Sequence, residues 1–206
     1  MIGIIDYGSG NIQAIRNIYN RLKIETFIIK GPKDVSLATK LILPGVGAFD
    51  EAIGKLDQSD LRDSLDNAVL QNKVPVMGIC VGMQIMADSS EEGALKGLGW
   101  IPGSVKRFDK NLINTVPKLP HMGWNDISIS DHPIFSGIDK KVGFYFLHSY
   151  FFKANEENNV IATSYYQTEF DCAINNKNIF GFQFHPEKSH INGIRLFKNF
   201  SEILQC

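Results

Sequence analysis

A cysteine in this sequence stands where a nucleophile could be presented. Cys80 lies in the segment GICVG, between Gly78 and Gly82, after an apolar run typical of a strand and before a run typical of a helix. This order predicts a sharp strand–turn–helix bend with strained backbone at the nucleophile, and the flanking glycines make room for it. A helix N-terminus behind the cysteine would stabilise a thiolate, and its first amides could hold an oxyanion.

A thiol nucleophile needs a base, and His185 is the best candidate among the five histidines. It ends the strand-like segment NIFGFQF, and Pro186 after it favours extended backbone. Residues two apart in an extended segment face the same side, so we expect Glu187 to lie beside His185 and orient its ring. Taken alone, Cys80 could be a buried core thiol and the segment HPE an exposed turn.

The other four histidines have simpler interpretations. His121 and His148 lie in strand-edge segments with aromatic neighbours, where packed and hydrogen-bonded histidines are expected. His190 lies near the start of the last predicted helix and is expected to be solvated, and His132, before a proline in a polar turn, is expected to be structural.

Composition predicts an ordinary globular protein, organised as a single domain over residues 1–206. Hydrophobic residues make up 44% of the chain and charged residues 21%, and the formal net charge is −1. This balance gives no basic excess for nucleic acid and no polybasic patch for a membrane. The N-terminus lacks a signal-peptide pattern, and the longest apolar runs are too short to span a bilayer.

The cysteine count indicates a reducing compartment. The chain has three cysteines, Cys80, Cys172 and Cys206, and an odd, sparse number argues against a disulfide scaffold. We therefore expect a cytoplasmic protein. No spacing of cysteines and histidines resembles a zinc site, so neither a metal nor a cofactor is expected.

The elements that must position these residues alternate in the first half of the chain. Strand-like runs at 1–6, 25–30, 40–45 and 74–80 alternate with amphipathic helical runs at 11–22 and 60–73. This alternation predicts a mostly parallel central sheet flanked by helices. The second half predicts an added antiparallel β element and a closing helix, with strands at 103–108, 122–130, 143–152, 159–166, 170–176 and 178–186 and the helix at 191–204.

Three segments of the chain resemble the class I, triad-type glutamine amidotransferases: GICVGMQ, LPGVGAF and FGFQFHPEKS. Three more, DYGSGN, LPHMGWN and FYFLHSY, narrow the resemblance to the glutaminase subunits of imidazole glycerol phosphate synthase. The resemblance covers essentially the whole chain and implies a flavodoxin-like α/β fold. It also implies hydrolysis of L-glutamine to glutamate and ammonia, with the ammonia passed to a (β/α)8 barrel cyclase subunit for histidine biosynthesis. Because such a barrel needs about 250 residues, that partner must be a separate chain, and the two form a heterodimer.

The resemblance assigns roles residue by residue. Cys80 would attack the carboxamide carbon, His185 would accept and return the proton, and Glu187 would orient His185. The backbone amides of the oxyanion site would come from Val46, Gly47 and Val81. Substrate binding would involve Gly45, Gln84, Glu92, Ser149 and Tyr150. The partner would dock against Asn11, Trp124 and Lys188, for which the simpler interpretations are a helix cap, a core tryptophan and a solvated lysine.

Other functions remain open at this stage. The segments HPEKSH and LGWI also resemble paralogous subunits that supply ammonia for an acetamidino sugar in surface-polysaccharide biosynthesis. A stand-alone cysteine hydrolase and a catalytically inactive binding subunit are further alternatives. For the favoured function, the glycine content of PGVG predicts a strand that is misplaced for catalysis until the partner binds, so the lone subunit would be nearly inactive.

Overall fold

The computed structural model of this chain describes residues 1–114, 116 and 118–204, so Cys206 lies outside the described residues. The strands, in chain order, are β1 (Ile2–Ile5), β2 (Thr26–Ile29), β3 (Lys40–Gly45), β4 (Val76–Cys80), β5 (Ser89–Ser90), β6 (Gly103–Arg107), β7 (His121–Asn125), β8 (Ile127–Ile129), β9 (Phe144–His148), β10 (Tyr150–Ala154), β11 (Val160–Tyr165), β12 (Glu169–Asn176) and β13 (Ile179–Phe182). The helices are α1 (Ile12–Arg21), α2 (Pro32–Val35), α3 (Phe49–Gln58), α4 (Arg62–Asp66), α5 (Val81–Gln84) and α6 (His190–Glu202).

An eight-stranded sheet forms the centre of the molecule, in the order β2-β1-β3-β4-β13-β12-β11-β8. The first five strands are parallel, and the last three join antiparallel. The predicted α/β class, with a mostly parallel sheet and an antiparallel addition, is confirmed. The order of the parallel strands is that of flavodoxin-like folds, except that the last position is filled by β13 from the end of the chain.

Two smaller sheets complete the β structure. One has the order β10-β6-β5, and the other pairs β7 with β9 antiparallel, so that His121 lies opposite His148. The sequence predicts β7 and β8 as one strand, and likewise β9 and β10. In both cases a single residue, Asp126 or Ser149, separates two strands that pair in different sheets.

The helices bury the apolar stripes expected from their sequence. Helix α1 buries Ile15, Ile18 and Tyr19, and the Tyr19 ring packs edge-on against Phe197 of α6 with centroids 5.3 Å apart. Buried apolar side chains from these helices and from most of the strands form one continuous core. Among the described residues, no helix combines the length and hydropathy needed to cross a bilayer.

Three features of the first half depart from the prediction. Helices α2 and α3 are not predicted, although Phe49, Ala52, Ile53 and Leu56 give α3 a buried helical stripe. The predicted helix at 60–73 is α4 followed by a π-helical turn, Asn67–Gln71.

The predicted last strand, 178–186, is paired only as far as Phe182. Phe182 is in register with Ile79, and the neighbouring strand β4 ends one residue later at the Cys80 bend. Residues 183–185 therefore continue past the sheet and into the site.

Candidate active site

Cys80 occupies the sharp bend that its sequence context predicts. It is the last residue of β4 and precedes α5, with φ of 54° and ψ of −112°. A positive φ is uncommon for a residue other than glycine and marks backbone strain held by the surrounding structure. The helix that follows is shorter than expected, a single turn from Val81 to Gln84. Its dipole is therefore weak, and the unpaired N–H groups of its first turn are the main source of positive potential near Cys80.

Three glycines allow the backbone to close around this bend. A Cβ on Gly82 would overlap the Leu43 carbonyl oxygen of β3, and a Cβ on Gly45 would overlap the Gly82 amide nitrogen. A Cβ on Gly78 would lie 2.6 Å from the Gly82 oxygen. The glycines therefore let β3, β4 and α5 approach backbone to backbone, which places the end of β3 beside the nucleophile.

The structure brings Cys80, His185 and Glu187 together. His185 Nδ1–H donates to Glu187 Oε1 at 2.9 Å, and the two side chains are 3% and 2% exposed. The other ring nitrogen, Nε2, is not used by Glu187 and is left for Cys80, which lines the same cavity as His185. This is the connectivity of a nucleophile, a base and an orienting carboxylate.

The local geometry that unites His185 and Glu187 differs from the prediction. His185 is extended, but Pro186–Lys188 forms a 3-10 turn. Glu187 therefore faces the His185 ring because the backbone turns, and not because the two residues alternate along an extended strand. Ser189 fixes this turn, since its Oγ donates to the His185 carbonyl at 2.7 Å and accepts from the Tyr145 amide at 3.0 Å.

His185 has an unusual charge for a buried imidazole. Burial lowers its pKa, but hydrogen bonds to Cys80 and Glu187, together with their negative charges, outweigh burial and raise the pKa to about 10. His185 is therefore protonated at neutral pH.

A cavity of about 280 Å³ opens in front of Cys80. That volume is near the lower end for small-molecule pockets, about 300 Å³, and suits a substrate of amino-acid size. The predicted site residues that line it are Val46, Gly47, Cys80, Val81, Gln84, Glu92, Ser149, Tyr150, His185 and Lys188. Gly45 is buried against the Gly82 backbone and does not line the cavity, and its contact with substrate stays a prediction.

Two predicted substrate-binding side chains already have protein partners. Gln84 Nε2 donates to the Tyr150 carbonyl at 2.9 Å and to Gln183 Oε1 at 3.0 Å. Glu92 Oε2 accepts from the Phe49 amide at 2.8 Å. Gln84 thus sits under the cavity as part of a fixed network rather than as a free amide, whereas Glu92 brings a carboxylate to the cavity wall.

The segment after β3 lies beside the nucleophile, with Gly45 in register with Cys80. The Val46 amide donates to Ser9 Oγ at 3.0 Å, and the same hydroxyl donates to the Val46 carbonyl at 2.9 Å. Gly47 has φ of 97°, which only glycine adopts easily. In this conformation the Val46 N–H is engaged by Ser9 instead of being available to an oxyanion.

The predicted partner-binding residues are all accessible. Trp124 is 47% exposed, so the alternative of a core tryptophan is wrong. Asn11 occupies the N-cap position of α1, as its simpler interpretation expects, but its side chain makes no capping hydrogen bond. The Lys188 ammonium lies 5.5 Å from the centroid of the Tyr145 ring, at the edge of the cavity.

The other histidines follow their structural interpretation, with one addition. His121 and His148 are buried, and their Nδ1 and Nε2 atoms, respectively, are 2.9 Å apart. Burial lowers the pKa of His121 to about 4, and burial together with His121 lowers that of His148 to about 3, so both rings are neutral. His148 also lines the cavity. His132 accepts a backbone hydrogen bond in a turn, and His190 is exposed.

Among the described residues outside this site, neither the remaining cysteine nor the acidic side chains form a second reactive centre or a metal site. Cys172 is a free, fully buried thiol, and burial raises its pKa well above the usual value, so it is unreactive. Within the part of the chain that the structure describes, no group of three or more histidine, cysteine, aspartate or glutamate residues could hold a metal ion.

Sequence reasoning missed Pro120, Leu147 and His148, which line the cavity, and Ser9 and Gln183, which contact predicted site residues. The Cys80 thiol donates to the Leu147 carbonyl, and Gln183 Nε2 donates to Cys80 Sγ, both at 3.8 Å. A signal for Gln183 was present, because it precedes His185 by two positions in an extended segment and such residues face the same side.

The comparisons with known proteins agree with this geometry. Residues 3–203 match the family model described as glutamine amidotransferase class-I. The imidazole glycerol phosphate synthase subunit HisH of Leptospira interrogans is 48% identical, covering 98% of this chain and 100% of that protein. The protein of the same name from Bdellovibrio bacteriovorus is 49% identical, again over 98% of this chain and 100% of its own length.

Solved structures support the fold. The crystal structure of a glutamine amidotransferase superposes with a TM-score of 0.72 at 18% identity, covering 98% of this chain and 97% of that one. PurLQS from Thermotoga maritima superposes with a TM-score of 0.71 at 16% identity, covering 98% and 97% of the two chains. The family match over nearly all residues, joined to full-length relatives that are almost half identical, shows that the chain belongs to the class I glutamine amidotransferases.

Proposed function

We propose that this chain is the glutaminase subunit of imidazole glycerol phosphate synthase. It hydrolyses L-glutamine to L-glutamate and ammonia and passes the ammonia to a separate (β/α)8 barrel cyclase subunit in histidine biosynthesis. The observation that carries the proposal is that Cys80 and His185 line one cavity, with His185 held by the Glu187 carboxylate.

The triad supports a two-step hydrolysis. Cys80 Sγ, as the thiolate, attacks the carboxamide carbon, and the carbonyl π electrons move onto oxygen. His185 Nε2–H gives its proton to the amide nitrogen, the C–N bond breaks, and ammonia leaves a γ-glutamyl thioester on Cys80. Neutral His185 then takes a proton from water as the water attacks the thioester. The C–S bond breaks, the new γ-carboxyl group gives its remaining proton to solvent, glutamate leaves, and the thiolate and imidazolium are restored.

The tetrahedral intermediate of each step needs hydrogen-bond donors for its oxyanion. We assign these to the backbone amides of Val81, at the start of α5, and of Val46 or Gly47, beside Cys80 at the end of β3. The engagement of the Val46 amide by Ser9 supports a resting state in which this site is incomplete. Losing one such donor costs about a hundredfold to a thousandfold in rate, so a lone subunit in this state would be nearly inactive.

The face around the cavity is suited to the partner subunit. Trp124 and Met122 of β7 are exposed, at 47% and 59%, and Lys188 lies at the cavity edge. We assign this face, with Asn11, to the cyclase subunit, because ammonia leaving Cys80 must enter the partner without meeting water that would protonate it. The relatives that match over their whole length are HisH subunits, and none of the alternative functions is favoured by them.

We further propose that residues 1–206 form one domain and that the protein works in the cytoplasm. The first proposal is supported by the continuous core, to which both halves of the chain contribute. The second is supported by two free thiols, at Cys80 and Cys172, which a reducing compartment preserves.

Co-purification with the cyclase subunit tests the function. In the complex, glutamate release from glutamine should accelerate when the cyclase substrate is added. Cys80→Ala should abolish glutamine-dependent synthesis and leave ammonia-dependent synthesis unchanged. Loss of both activities in a folded Cys80→Ala complex would contradict the nucleophilic role, and rapid glutamine hydrolysis by the isolated chain would indicate a stand-alone hydrolase.

A matched pair of substitutions tests the proposed docking face. Trp124→Ala removes an exposed ring from this face, whereas Leu37→Ala removes an exposed side chain, 61% accessible, that precedes β3 at the opposite end of the parallel strands. A central aromatic residue typically contributes about 2 kcal/mol or more to an interface, so Trp124→Ala should weaken binding of the cyclase at least about tenfold. Equal affinities for the two variants in calorimetric titration would refute the assignment.

A further inference from the structure

Gln183 is a fully buried amide in contact with the nucleophile. It lies between β13 and His185, is 0% exposed, and its Nε2 is 3.8 Å from Cys80 Sγ. Its Oε1 accepts from Gln84 Nε2 at 3.0 Å. Among the described residues, the sulfur is the one hydrogen-bond partner of the Gln183 NH2 group, so this buried donor depends on Cys80 for its satisfaction.

The orientation of the Gln183 amide is fixed by a group that cannot rotate. The Tyr150 backbone carbonyl accepts from Gln84 Nε2 at 2.9 Å, which requires the NH2 end of Gln84 to face it. The same NH2 group donates to Gln183, so the Gln183 oxygen must face Gln84. The Gln183 NH2 group therefore faces the sulfur, because a flipped amide would place two donors against each other.

The same carbonyl is held from its other side by the histidine pair. His148 Nδ1–H donates to the Tyr150 carbonyl at 2.8 Å, which makes His148 Nε2 an acceptor for His121 Nδ1–H at 2.9 Å. Asn125 Nδ2 is 3.1 Å from His121 Nε2 and completes the chain as a donor. Donor and acceptor are therefore defined for each of these hydrogen bonds. On the side of Tyr150 that includes Gln84, the last donor is Gln183 Nε2, and it faces Cys80 Sγ.

We propose that Gln183 is a further catalytic residue, whose amide N–H stabilises the Cys80 thiolate and holds Sγ in position for attack. This assignment rests on the proposed role of Cys80 as the nucleophile. The thiol form donates to the Leu147 carbonyl, but the thiolate has no proton to donate and needs donors instead. Gln183 Nε2 is a donor directed at the sulfur, and a hydrogen bond to a charged acceptor is stronger than one to a neutral acceptor.

Two substitutions distinguish the effect of the Gln183 N–H donor from the effect of side-chain volume. Gln183→Met keeps the length and removes the N–H, and Gln183→Glu keeps the shape but turns an acceptor toward the sulfur. The control is Asn178→Leu, which removes a buried amide that donates to the Val69 and Val74 carbonyls, away from the cavity. All comparisons use preparations whose ammonia-dependent synthesis with the cyclase equals that of the wild type, which establishes that they are folded and docked.

The readout is alkylation of Cys80 in the isolated chain by iodoacetamide at neutral pH, which requires a thiolate but no glutamine. We expect Gln183→Met and Gln183→Glu to slow alkylation at least about tenfold, and to lower kcat for glutamine in the complex by a similar factor while KM changes less than about threefold. Asn178→Leu should change neither rate.

Alkylation and kcat within about twofold of the wild type in both Gln183 variants would overturn the assignment, as would an equal loss in Asn178→Leu. A separate result distinguishes failure of the proposed glutaminase function from failure of the Gln183 assignment. If the wild-type complex releases no glutamate but Cys80 alkylation still depends on Gln183, the glutaminase proposal fails and the contact between Gln183 and the thiolate stands.

Discussion

The charge of His185 depends on two neighbours that act against its burial. The ring is almost wholly enclosed, which disfavours the imidazolium, yet Cys80 and Glu187 hold the proton on it. Only one carboxylate oxygen of Glu187 takes part, since within the described residues its buried Oε2 has no hydrogen-bond partner. The carboxylate therefore acts mainly through Oε1, as an electrostatic and orienting partner of one ring nitrogen.

Glu187→Gln should keep the shape of this contact and remove its charge. The side-chain amide would also leave an NH2 group buried, either unpaired or facing the His185 Nδ1–H. We expect kcat for glutamine in the complex to fall at least about a hundredfold, with little change in KM, because orientation and charge act on the transition state. Steady-state kinetics with glutamine measure this, and ammonia-dependent synthesis is the control. A kcat within about fivefold of the wild type would mean that the carboxylate is dispensable.

Residue types and spacing are enough to select Cys80, His185 and Glu187 as the candidates for nucleophile, base and orienting acid. Cys80 is identified by its glycines and His185 by its place at a strand end. Gln183 and Ser9 are not predicted, because their importance lies in which atom of a distant residue they meet. The bond between Ser9 and Val46 joins positions 37 apart in sequence, a separation that local patterns do not report.

At the scale of elements, the close approach of β3, β4 and α5 shapes the site. Gly82 allows α5 to lie against the Leu43 carbonyl, and this contact sets the angle at which the chain leaves Cys80. Helix α3 contains a contrasting glycine, Gly54, around which an added Cβ would meet open space. A methyl group would therefore clash with backbone at position 82 but not at position 54.

Gly82→Ala should destabilise the protein, and Gly54→Ala should not. The added methyl group at Gly82 would overlap a backbone oxygen, and such overpacking typically costs about 1–3 kcal/mol. At Gly54 the same change reduces the entropy of the unfolded chain and should stabilise by up to about 1 kcal/mol. Urea unfolding of both variants measures these effects, and equal free energies of unfolding would show that the Gly82 contact is not tight.

Ser9→Ala should increase the activity of the isolated chain. The Ser9 hydroxyl bonds both the N–H and the C=O of Val46, so removing it frees this peptide to rotate toward Cys80. One hydrogen bond contributes about 1 kcal/mol, so glutamine hydrolysis without the partner should rise on the order of fivefold. Ser36→Ala, which removes an exposed hydroxyl bonded to the Lys33 carbonyl, is the control. A decrease in Ser9→Ala would instead indicate that the hydroxyl supports the active conformation.

Element positions are predictable where the period of apolar residues is long or the turn signals are strong. Strands β1 to β4 and helices α1 and α6 fall close to the predicted segments. The π-helical turn after α4 and the 3-10 turn at Pro186–Lys188 are not predicted. Both lie beside hydrogen bonds to distant residues, from Asn178 to the Val69 carbonyl and from the Tyr145 amide to Ser189, which local patterns do not report. The second turn nevertheless positions Glu187, so the sequence predicts the triad through an incorrect local geometry.

At the scale of the whole molecule, two buried neutral histidines make stability sensitive to acid. His121 and His148 have pKa values near 4 and 3 in the folded chain, below the value of about 6.5 that an unfolded chain restores. Between these limits the unfolded state binds more protons, so stability is lost as pH falls below about 6.5. His185 has the opposite shift, and its contribution is lost as pH rises towards 10.

Lowering the pH from 7 to 5 should therefore reduce the free energy of unfolding by about 2 kcal/mol for each of the two histidines. His121→Gln removes one titrating ring and retains an acceptor for Asn125 and a donor for His148. We expect this variant to lose about half as much stability over the same range. Urea midpoints at the two pH values measure the difference, and parallel pH profiles for variant and wild type would contradict it.

The place of β13 in the central sheet has a consequence for how the protein is made. This strand lies between β4 and β12, and the base and acid follow it directly. During synthesis on the ribosome, Cys80 emerges long before His185 and Glu187. Until β13 is made, β4 is an unpaired edge strand that can pair with other chains. A nascent glutaminase is thus harmless to the cellular glutamine pool until its last segment inserts, and chains interrupted before Ile179 should be both inert and prone to aggregate.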